Sequence, residues 1–225
     1  MTVFRITVTS DTVCPWCYVG ARQLQRAQEL HFQTHPDAND SFAVTYSPYQ
    51  LNPDAPTGPG HSKDKRQYYV DKFGAQRTSM IQQSLFNVGA QLGIDFRFGG
   101  KTGNTRDSHR LVQLAKKHGN QVELKTVHGL FAAYFENERD ITDYETLRSV
   151  AEEAGIPGDE FDRAIVHGDD GGKEVDDAVV RARLDGVSSV PDYLIQGKYR
   201  ISGGQEALVF VRAFEKIKEL ELEPE

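Results

Sequence analysis

The sequence predicts an α/β fold in which a block of helices is inserted between two short parts built from strands and helices. Strand-like alternation occurs only toward the two ends of the chain, whereas residues 62–186 between them are almost entirely helical in pattern. The predicted order is β-α-β, a helical block, then β-β-α. We therefore assign residues 1–58 and 187–225 to one discontinuous domain and residues 59–186 to a helical insertion domain.

The N-terminal part begins with a strand at residues 3–9, which alternate and are rich in β-branched side chains. After a turn at Ser10-Asp11, helical periodicity runs from Cys14 to about His35, and Pro15 suits a first helical turn. A second strand is predicted over residues 42–51. The segment LNPDAPTGPG at 51–60 then interrupts regular structure with three prolines and two glycines.

Local signals mark helices inside the predicted block. Asn120 with Glu123, and Thr142 with Glu145, match the spacing of a capping box. The segment 155–157, Gly-Ile-Pro, predicts a helix end. Two apolar stripes at helical spacing are predicted to face the core, namely Leu147, Val150, Ala151 and Ala154, and Val175, Ala178, Val179 and Ala182.

The chain is predicted to return to strands after Gly186, first at residues 193–195 and then at 199–202, with a tight turn between them. A last helix carries Phe210, Phe214 and Ile217 on one face. The acidic segment ELELEPE at 219–225 is expected to be frayed or solvated.

Composition restricts the class of protein. With 225 residues, of which 38% are hydrophobic and 26% charged, the chain suits a folded protein. A net charge of −7 argues against a nucleic-acid partner, because such binding relies on cations that neutralise phosphates. No run approaches the roughly 18 apolar residues of a membrane span, and no signal peptide is visible. We expect no membrane association and a cytoplasmic location.

Both cysteines of the chain lie in the segment Cys14-Pro15-Trp16-Cys17. In a reducing compartment such a close pair is more often catalytic or metal-binding than structural. A helix N-terminus favours the reactive thiolate through its unpaired N–H groups and its dipole. We therefore expect Cys14 to attack a disulfide, and Cys17, one turn further in and less ionised, to resolve the mixed disulfide. Trp16 could offer an apolar platform to the substrate.

Two other interpretations of the pair stay open, a CxxC that arose by chance and half of a zinc site. We predict no metal, because no two histidines form a tight ligand pair on one element. The histidines concerned are His31, His35, His61, His109, His118, His128 and His167. Asp11 could accept a proton from Cys17 if it is buried beneath the motif, and is otherwise a turn residue bonded to the backbone near the helix start.

The chain resembles the DsbA-like thioredoxin superfamily, and within it the FrnE-like branch of largely cytosolic proteins. The matching segments, in chain order, are SDTVCPWCYVG, YQLNPD, NTRDSHRL, DGVSSVP and GKYRISGGQ, and they span nearly the whole chain. The resemblance implies a thioredoxin fold interrupted by the helical domain. It also implies a cis bond between Val190 and Pro191 facing the cysteines, so that the Val190 backbone would pair with an extended substrate segment.

Pro15, Trp16, Val190 and Pro191 are thus the candidate substrate contacts. One residue departs from the family, because Asp192 stands where Thr or another small or apolar residue is usual. A carboxylate directed at the sulfurs would oppose thiolate formation, whereas one directed at solvent would change little. Asp11 and Asp192 are therefore candidate modulators of the site.

Two other features of the resemblance have structural alternatives. Asn104 and His109 match the family's helix-opening motif, and we favour a helix cap and a packed histidine over catalytic roles. Residues Ser202, Gly203, Gly204 and Gln205 precede the last helix. They could present N–H groups to a carboxylate of glutathione, or simply cap that helix.

Three functions are compatible with these features. The first is a cytosolic disulfide oxidoreductase or isomerase that acts on protein disulfides or small thiols, with no bound cofactor and with glutathione as a candidate co-substrate. The second is a glutathione-dependent transferase or isomerase of the kappa class, whose members generally keep Ser where Cys14 stands. The third is a non-enzymatic module that binds a partner in a biosynthetic pathway. A homodimer is left open.

Overall fold

A computed structural model describes residues 1–222. The first part of the chain forms β1 (Val3–Ser10), α1 (Pro15–Thr34) and β2 (Ser41–Pro48). The middle part forms β3 (Lys63–Asp64), α2 (Lys65–Phe73), α3 (Ala75–Leu92), β4 (Lys101–Thr102), α4 (Arg106–Lys117), α5 (Asn120–Phe135), α6 (Tyr144–Ala154), α7 (Gly158–Phe161), a π-helical turn (Asp162–Val166) and α8 (Gly172–Leu184). The last part forms β5 (Asp192–Ile195), β6 (Tyr199–Ser202) and α9 (Ala207–Leu222).

Four strands form one mixed sheet in the order β2-β1-β5-β6. Strands β1 and β2 are parallel and are joined by α1, whereas β5 lies antiparallel to β1 and β6 antiparallel to β5. Helix α9 packs against α1. The predicted α/β class, a thioredoxin fold with a helical insertion, is confirmed, because α2 to α8 all lie between β2 and β5 in the chain.

The alternation predicted for the first strand reflects its two faces. Phe4, Ile6 and Val8 are buried, whereas Arg5 between them is exposed. The ring of Phe4 lies 4.9 Å from the rings of both Phe42 and Phe214, measured between centroids. These contacts join β1, β2 and α9 in one core beneath the sheet.

The helical insertion contains both predicted apolar stripes. All four residues of the first stripe are buried, as are Val175, Val179 and Ala182 of the second, whereas Ala178 is half-buried. The insertion also contains the short antiparallel pair β3–β4, which was not predicted because two residues are too short to show alternation. The boundaries at 58/59 and 186/187 stay predictions.

The predicted capping box at the start of α5 is wrong. The helix is preceded by Gly119, and no side chain caps it. The Asn120 side-chain amide instead donates to the carbonyl of Val44 at 2.5 Å. Glu123 Oε1 accepts from the amide of Tyr46 at 2.7 Å. Both side chains are engaged by strand β2, which removes them from the helix start.

The capping box predicted at the start of α6 is also wrong, because the capping residue comes one position later than predicted. Asp143 is the cap, and its Oδ2 accepts from the amide of Thr146 at 3.0 Å. The hydroxyl of Thr142 donates instead to Asp140 at 2.7 Å. Glu145 is exposed.

At the C-terminal end, α9 continues through Leu222. The expectation of a frayed acidic segment falls partly on residues 223–225, which lie outside the described residues. Within residues 1–222, no helix is both long and apolar enough to cross a membrane.

Candidate active site

The two cysteines lie at the junction between β1 and α1, and both are free thiols. Cys14 has an extended backbone (φ −91°, ψ 114°) and immediately precedes the first helical residue, Pro15. Its carbonyl accepts from the amide of Cys17 at 3.0 Å, and its own amide donates to the Asp11 carbonyl at 3.1 Å. Cys14 therefore occupies the N-cap position of α1, where the helix dipole favours a negative charge.

Cys17 is the more deeply buried of the two thiols, with 2% of its surface exposed against 5% for Cys14. Burial holds the pKa of Cys17 well above its ordinary value, and the neighbouring Cys14 acts in the same direction. Hydrogen bonds from the Ser10 side chain and the Asp11 backbone partly oppose this shift in pKa. Cys17 is thus a neutral thiol at neutral pH, the state expected of a resolving cysteine.

The loop between α8 and β5 faces the cysteines. The peptide bond between Val190 and Pro191 is cis, as the resemblance implied. The Cys14 thiol lies 3.5 Å from the Val190 carbonyl and donates to it. Within the motif, Trp16 is 38% exposed. The structure thus places Pro15, Trp16, Val190 and Pro191 around Cys14, and their roles as substrate contacts stay predictions.

Asp192, whose orientation the sequence leaves open, directs its carboxylate at strand β6 rather than at solvent. Its side chain is buried, and Oδ2 accepts from the Ser202 hydroxyl at 2.6 Å while Oδ1 lies 3.3 Å from Arg200 Nε. The reason is strand register, because Asp192 pairs directly with Ser202 across β5 and β6. The carboxylate is therefore held by β6, and Arg200 offsets its charge.

Asp11 is fully buried at the base of the motif, but its carboxylate does not bond near the start of α1. Oδ2 accepts from the Leu51 amide at 2.7 Å. Oδ1 lies 3.4 Å from His109 Nε2 and makes no hydrogen bond to the described residues. Asp11 therefore bonds near the helix start only through its backbone carbonyl, which accepts from the Cys14 amide, whereas its carboxylate bonds to the loop after β2. Its role as a proton acceptor for Cys17 stays a prediction.

His109 has the structural role that we favoured, whereas the cap expected at Asn104 is wrong by one residue, because Thr105 is the N-cap of α4 and no side chain caps that helix. Asn104 Oδ1 accepts from the Arg106 amide at 2.8 Å, and its Nδ2 donates to the Ala55 carbonyl at 2.6 Å. His109 is buried, with Nε2 2.9 Å from the Tyr49 carbonyl. Together they hold the segment after β2 against the insertion.

The amide groups before α9 are largely engaged within the protein. The Gly203 amide donates to the Pro191 carbonyl and the Gln205 amide to the Gly203 carbonyl, each at 2.8 Å. The Ala207 amide donates to Gln23 Oε1 at 3.0 Å. This favours the structural alternative over a carboxylate site at residues 202–205.

Sequence reasoning missed a cavity of about 490 Å³ beside Cys14. It lies between the start of α1, the segment after β2, and helices α2 and α3. Its aromatic wall includes Tyr68, Tyr69 and Phe73. Burial and the neighbouring Cys14 raise the pKa of Tyr69, so its phenol is neutral. The signal in the sequence was the aromatic pair Tyr68-Tyr69 followed by Phe73. Because Phe73 comes four residues after Tyr69, the two side chains lie one helical turn apart on the same face of the helix.

Within residues 1–222, no three His, Cys, Asp or Glu side chains are arranged to hold a metal ion. Several histidines bond to protein groups instead, as His31 does to Asp40 at 2.9 Å and His118 to Glu160 at 3.1 Å.

Comparison with known proteins places this geometry in a family. The sequence matches the DSBA-like thioredoxin domain over residues 5–215. It is 26% identical over 167 residues to the uncharacterized protein YwbO of Bacillus subtilis (strain 168), covering 73% of this chain and 72% of that protein.

Solved structures of other proteins share the fold. A probable DsbA oxidoreductase from Streptomyces coelicolor is 26% identical, with a TM-score of 0.85 over 99% of this chain and 92% of that one. The cytosolic disulfide reductase DsbM from Pseudomonas aeruginosa, with GSH, is 15% identical, with a TM-score of 0.62 over 97% of this chain and 100% of that one. Because the family match covers most of the sequence, the chain belongs to the DSBA-like thioredoxin domain family.

Proposed function

We propose that the protein is a cytosolic thiol-disulfide oxidoreductase that uses Cys14 and Cys17 to reduce or isomerise disulfides of proteins or small thiols. The observation that carries this proposal is a pair of free thiols at the start of α1, with Cys14 3.5 Å from the carbonyl of Val190 in the cis loop. Membership of the DSBA-like family supports the chemistry. The cytosolic location is proposed by analogy with DsbM.

The proposed reaction transfers two electrons from the thiol pair to the substrate. The Cys14 thiolate attacks one sulfur of the substrate disulfide, which forms a mixed disulfide and releases the first substrate thiolate. Cys17 then loses its proton and attacks the Cys14 sulfur, which releases the second substrate thiolate and leaves a Cys14–Cys17 disulfide. A thiol donor, for which glutathione is the candidate, reduces the pair again.

The neutral state of Cys17 sets the order of the two reaction steps. Because the pKa of Cys17 is raised by burial, it does not compete with Cys14 for the substrate. Its proton must leave when it attacks, and Asp11, fully buried and with no hydrogen bond at Oδ1 from the described residues, is the candidate acceptor. The free thiol at position 14 favours exchange over a kappa-class transferase and over a non-enzymatic module.

The test compares Cys14→Ser with Cys17→Ser. With dithiothreitol as the reductant, we expect wild type to reduce insulin and a glutathione mixed disulfide, and Cys14→Ser to lose both activities. Cys17→Ser should instead trap the substrate on Cys14, which mass spectrometry of the intact protein detects. Activity retained in Cys14→Ser, or a mixed disulfide on Cys17 in wild type, would contradict the proposal.

A further inference from the structure

We propose that the cavity beside Cys14 binds small disulfides that carry an acidic group next to an aromatic or apolar body. This inference rests on the proposed thiol-disulfide exchange at Cys14 and names a substrate class for it.

The size and position of the cavity suit a small molecule. Its volume of about 490 Å³ lies within the range of roughly 300–1,000 Å³ that is typical of small-molecule sites. Cys14, Pro15 and Trp16 line the cavity together with residues of α2 and α3. A disulfide placed against Cys14 would therefore direct one of its two substituents into the cavity.

The charge of the lining favours an anion. Lys63, Lys72 and Arg77 line the cavity, and none of them forms a salt bridge with the residues that the structure describes. Asp54 is the one carboxylate of the lining, and His61 adds a further titratable group. This positive surface contrasts with the net charge of −7 for the chain. A cleft of one sign raises the local concentration of ligands of the opposite sign.

Two of these cations, Lys72 and Arg77, lie over aromatic rings. Lys72 Nζ is 5.4 Å from the ring centre of Tyr68 and donates to its hydroxyl at 3.1 Å. The guanidinium of Arg77 is 5.8 Å from the ring centre of Phe73. Positive charge and apolar surface are thus adjacent, and a ligand complementary to this wall has an acidic group adjoining an aromatic or apolar body.

The neutral phenol of Tyr69 completes the match near the sulfur. Tyr69 lines the cavity, and its pKa is raised by burial and by the proximity of Cys14. The phenol therefore keeps its proton and can donate a hydrogen bond to the incoming ligand. The lining of the cavity therefore suits a ligand that reaches from Cys14 to the residues of α2 and α3.

Two chromogenic disulfides separate charge from thiol reactivity. The probes are 5,5′-dithiobis(2-nitrobenzoate), which is aromatic and anionic, and 2,2′-dithiodipyridine, which is aromatic and neutral. Each is mixed with pre-reduced protein in a single turnover. Cys14 forms a mixed disulfide and releases one aryl thiolate, and Cys17 then loses its proton, closes the Cys14–Cys17 disulfide and releases the second. No other reductant is needed.

The test variant is Lys72→Gln/Arg77→Gln, and the control is Lys173→Gln, which removes an exposed cation outside the cavity. We expect the rate with the anionic probe to fall about tenfold in the double variant, because two of the cations that attract the anion to the cavity are removed. The rate with the neutral probe, and both rates in the control, should change less than about twofold. High salt should remove most of the difference between wild type and the double variant in the rate with the anionic probe.

Three outcomes would overturn the inference. Equal losses with both probes, or no loss with the anionic probe, would show that the cations do not select acidic ligands. Loss of insulin reduction with an unchanged rate for the anionic probe would show that the wall binds a polypeptide.

If circular dichroism shows that the double variant fails to fold, Lys63→Gln supplies the same comparison. Cys14→Ser separates the two proposals. If Cys14→Ser abolishes the reaction but Lys72→Gln/Arg77→Gln has no selective effect on the rate with the anionic probe, the cavity inference alone is refuted.

Discussion

Gly20 brings helix α1 and strand β5 together. A Cβ at this position would overlap the Tyr193 hydroxyl and lie 3.0 Å from Pro191 Cγ. Because Pro191 belongs to the loop that faces Cys14, this contact helps to set the separation of the loop and the cysteines. The Tyr193 hydroxyl is itself buried and makes no hydrogen bond to the described residues.

Gly20→Ala should therefore lower the free energy of unfolding by about 1–3 kcal/mol, the usual effect of overpacking a well-packed core. Urea denaturation measures the change. Tyr193→Phe removes the atom that the new Cβ would meet, and should cost little alone because that hydroxyl lacks a partner. The double variant should recover part of the loss. If it recovers none, the Tyr193 hydroxyl is not the obstacle.

At the scale of residues, the sequence predicts what is determined locally. The position of Cys14 before α1 follows from the adjacent strand pattern and from Pro15, all within a few residues. The partner of Asp11 is Leu51, 40 residues away, and the orientation of Asp192 depends on its pairing with Ser202. Such contacts exist only after the sheet has formed, so no local pattern carries them.

Among the secondary-structure elements, strand β2 is an edge of the four-stranded sheet. Open edges invite pairing with other chains, because their N–H and C=O groups are unpaired. Here side chains of α4 and α5 bond to that edge. Lys116 Nζ donates to the Tyr46 carbonyl at 2.6 Å, and Glu123 Oε1 accepts from the Tyr46 amide at 2.7 Å and the Thr45 hydroxyl at 2.8 Å. Side chains of the helical insertion thus cover this edge of the sheet.

Glu123→Ala should lower the free energy of unfolding by about 1–3 kcal/mol, because it leaves the Tyr46 amide buried without its acceptor. Hydrogen exchange should show a faster rate at the Tyr46 amide than in wild type. Glu145→Ala, which removes an exposed carboxylate at the start of α6, is the control and should change neither quantity appreciably. Unchanged exchange at Tyr46 in Glu123→Ala would contradict this account of the edge.

The same contacts explain the error in the predicted capping box of α5. Asn and Glu three residues apart suit a helix start, but they suit the edge of a strand equally well, and composition does not distinguish the two. The stripe of Leu147, Val150 and Ala151 was predicted correctly because burial of one face repeats along the helix itself. Periodic burial is visible in sequence, whereas single long-range hydrogen bonds are not. The cavity wall on α2 and α3 was missed for the same reason.

For the whole molecule, Asp40 joins the two ends of the described chain. Its Oδ1 accepts from the Thr2 amide at 2.8 Å. Its Oδ2 lies 2.9 Å from His31 Nε2 on α1 and 2.5 Å from Lys218 Nζ on α9. Burial alone would raise the pKa of Asp40, but the hydrogen bonds from Lys218, His31 and the Thr2 amide together hold it well below its ordinary value.

A depressed pKa in the folded state means that the Asp40 carboxylate stabilises the fold above its unfolded pKa of about 3.9 and that this contribution is lost as the pH falls toward the folded value. Asp40→Asn should lower the free energy of unfolding by about 3 kcal/mol near neutral pH, because it leaves the Lys218 ammonium group and the buried His31 ring without the carboxylate to which they bond. Urea denaturation from neutral pH to about pH 3 should show the gap between wild type and variant narrowing below about pH 4. Asp177→Asn, which breaks the exposed pair with Lys173, should leave stability nearly unchanged throughout this pH range. A gap that stays constant with pH would mean that Asp40 acts through packing rather than charge, since only the ionised carboxylate is lost on acidification.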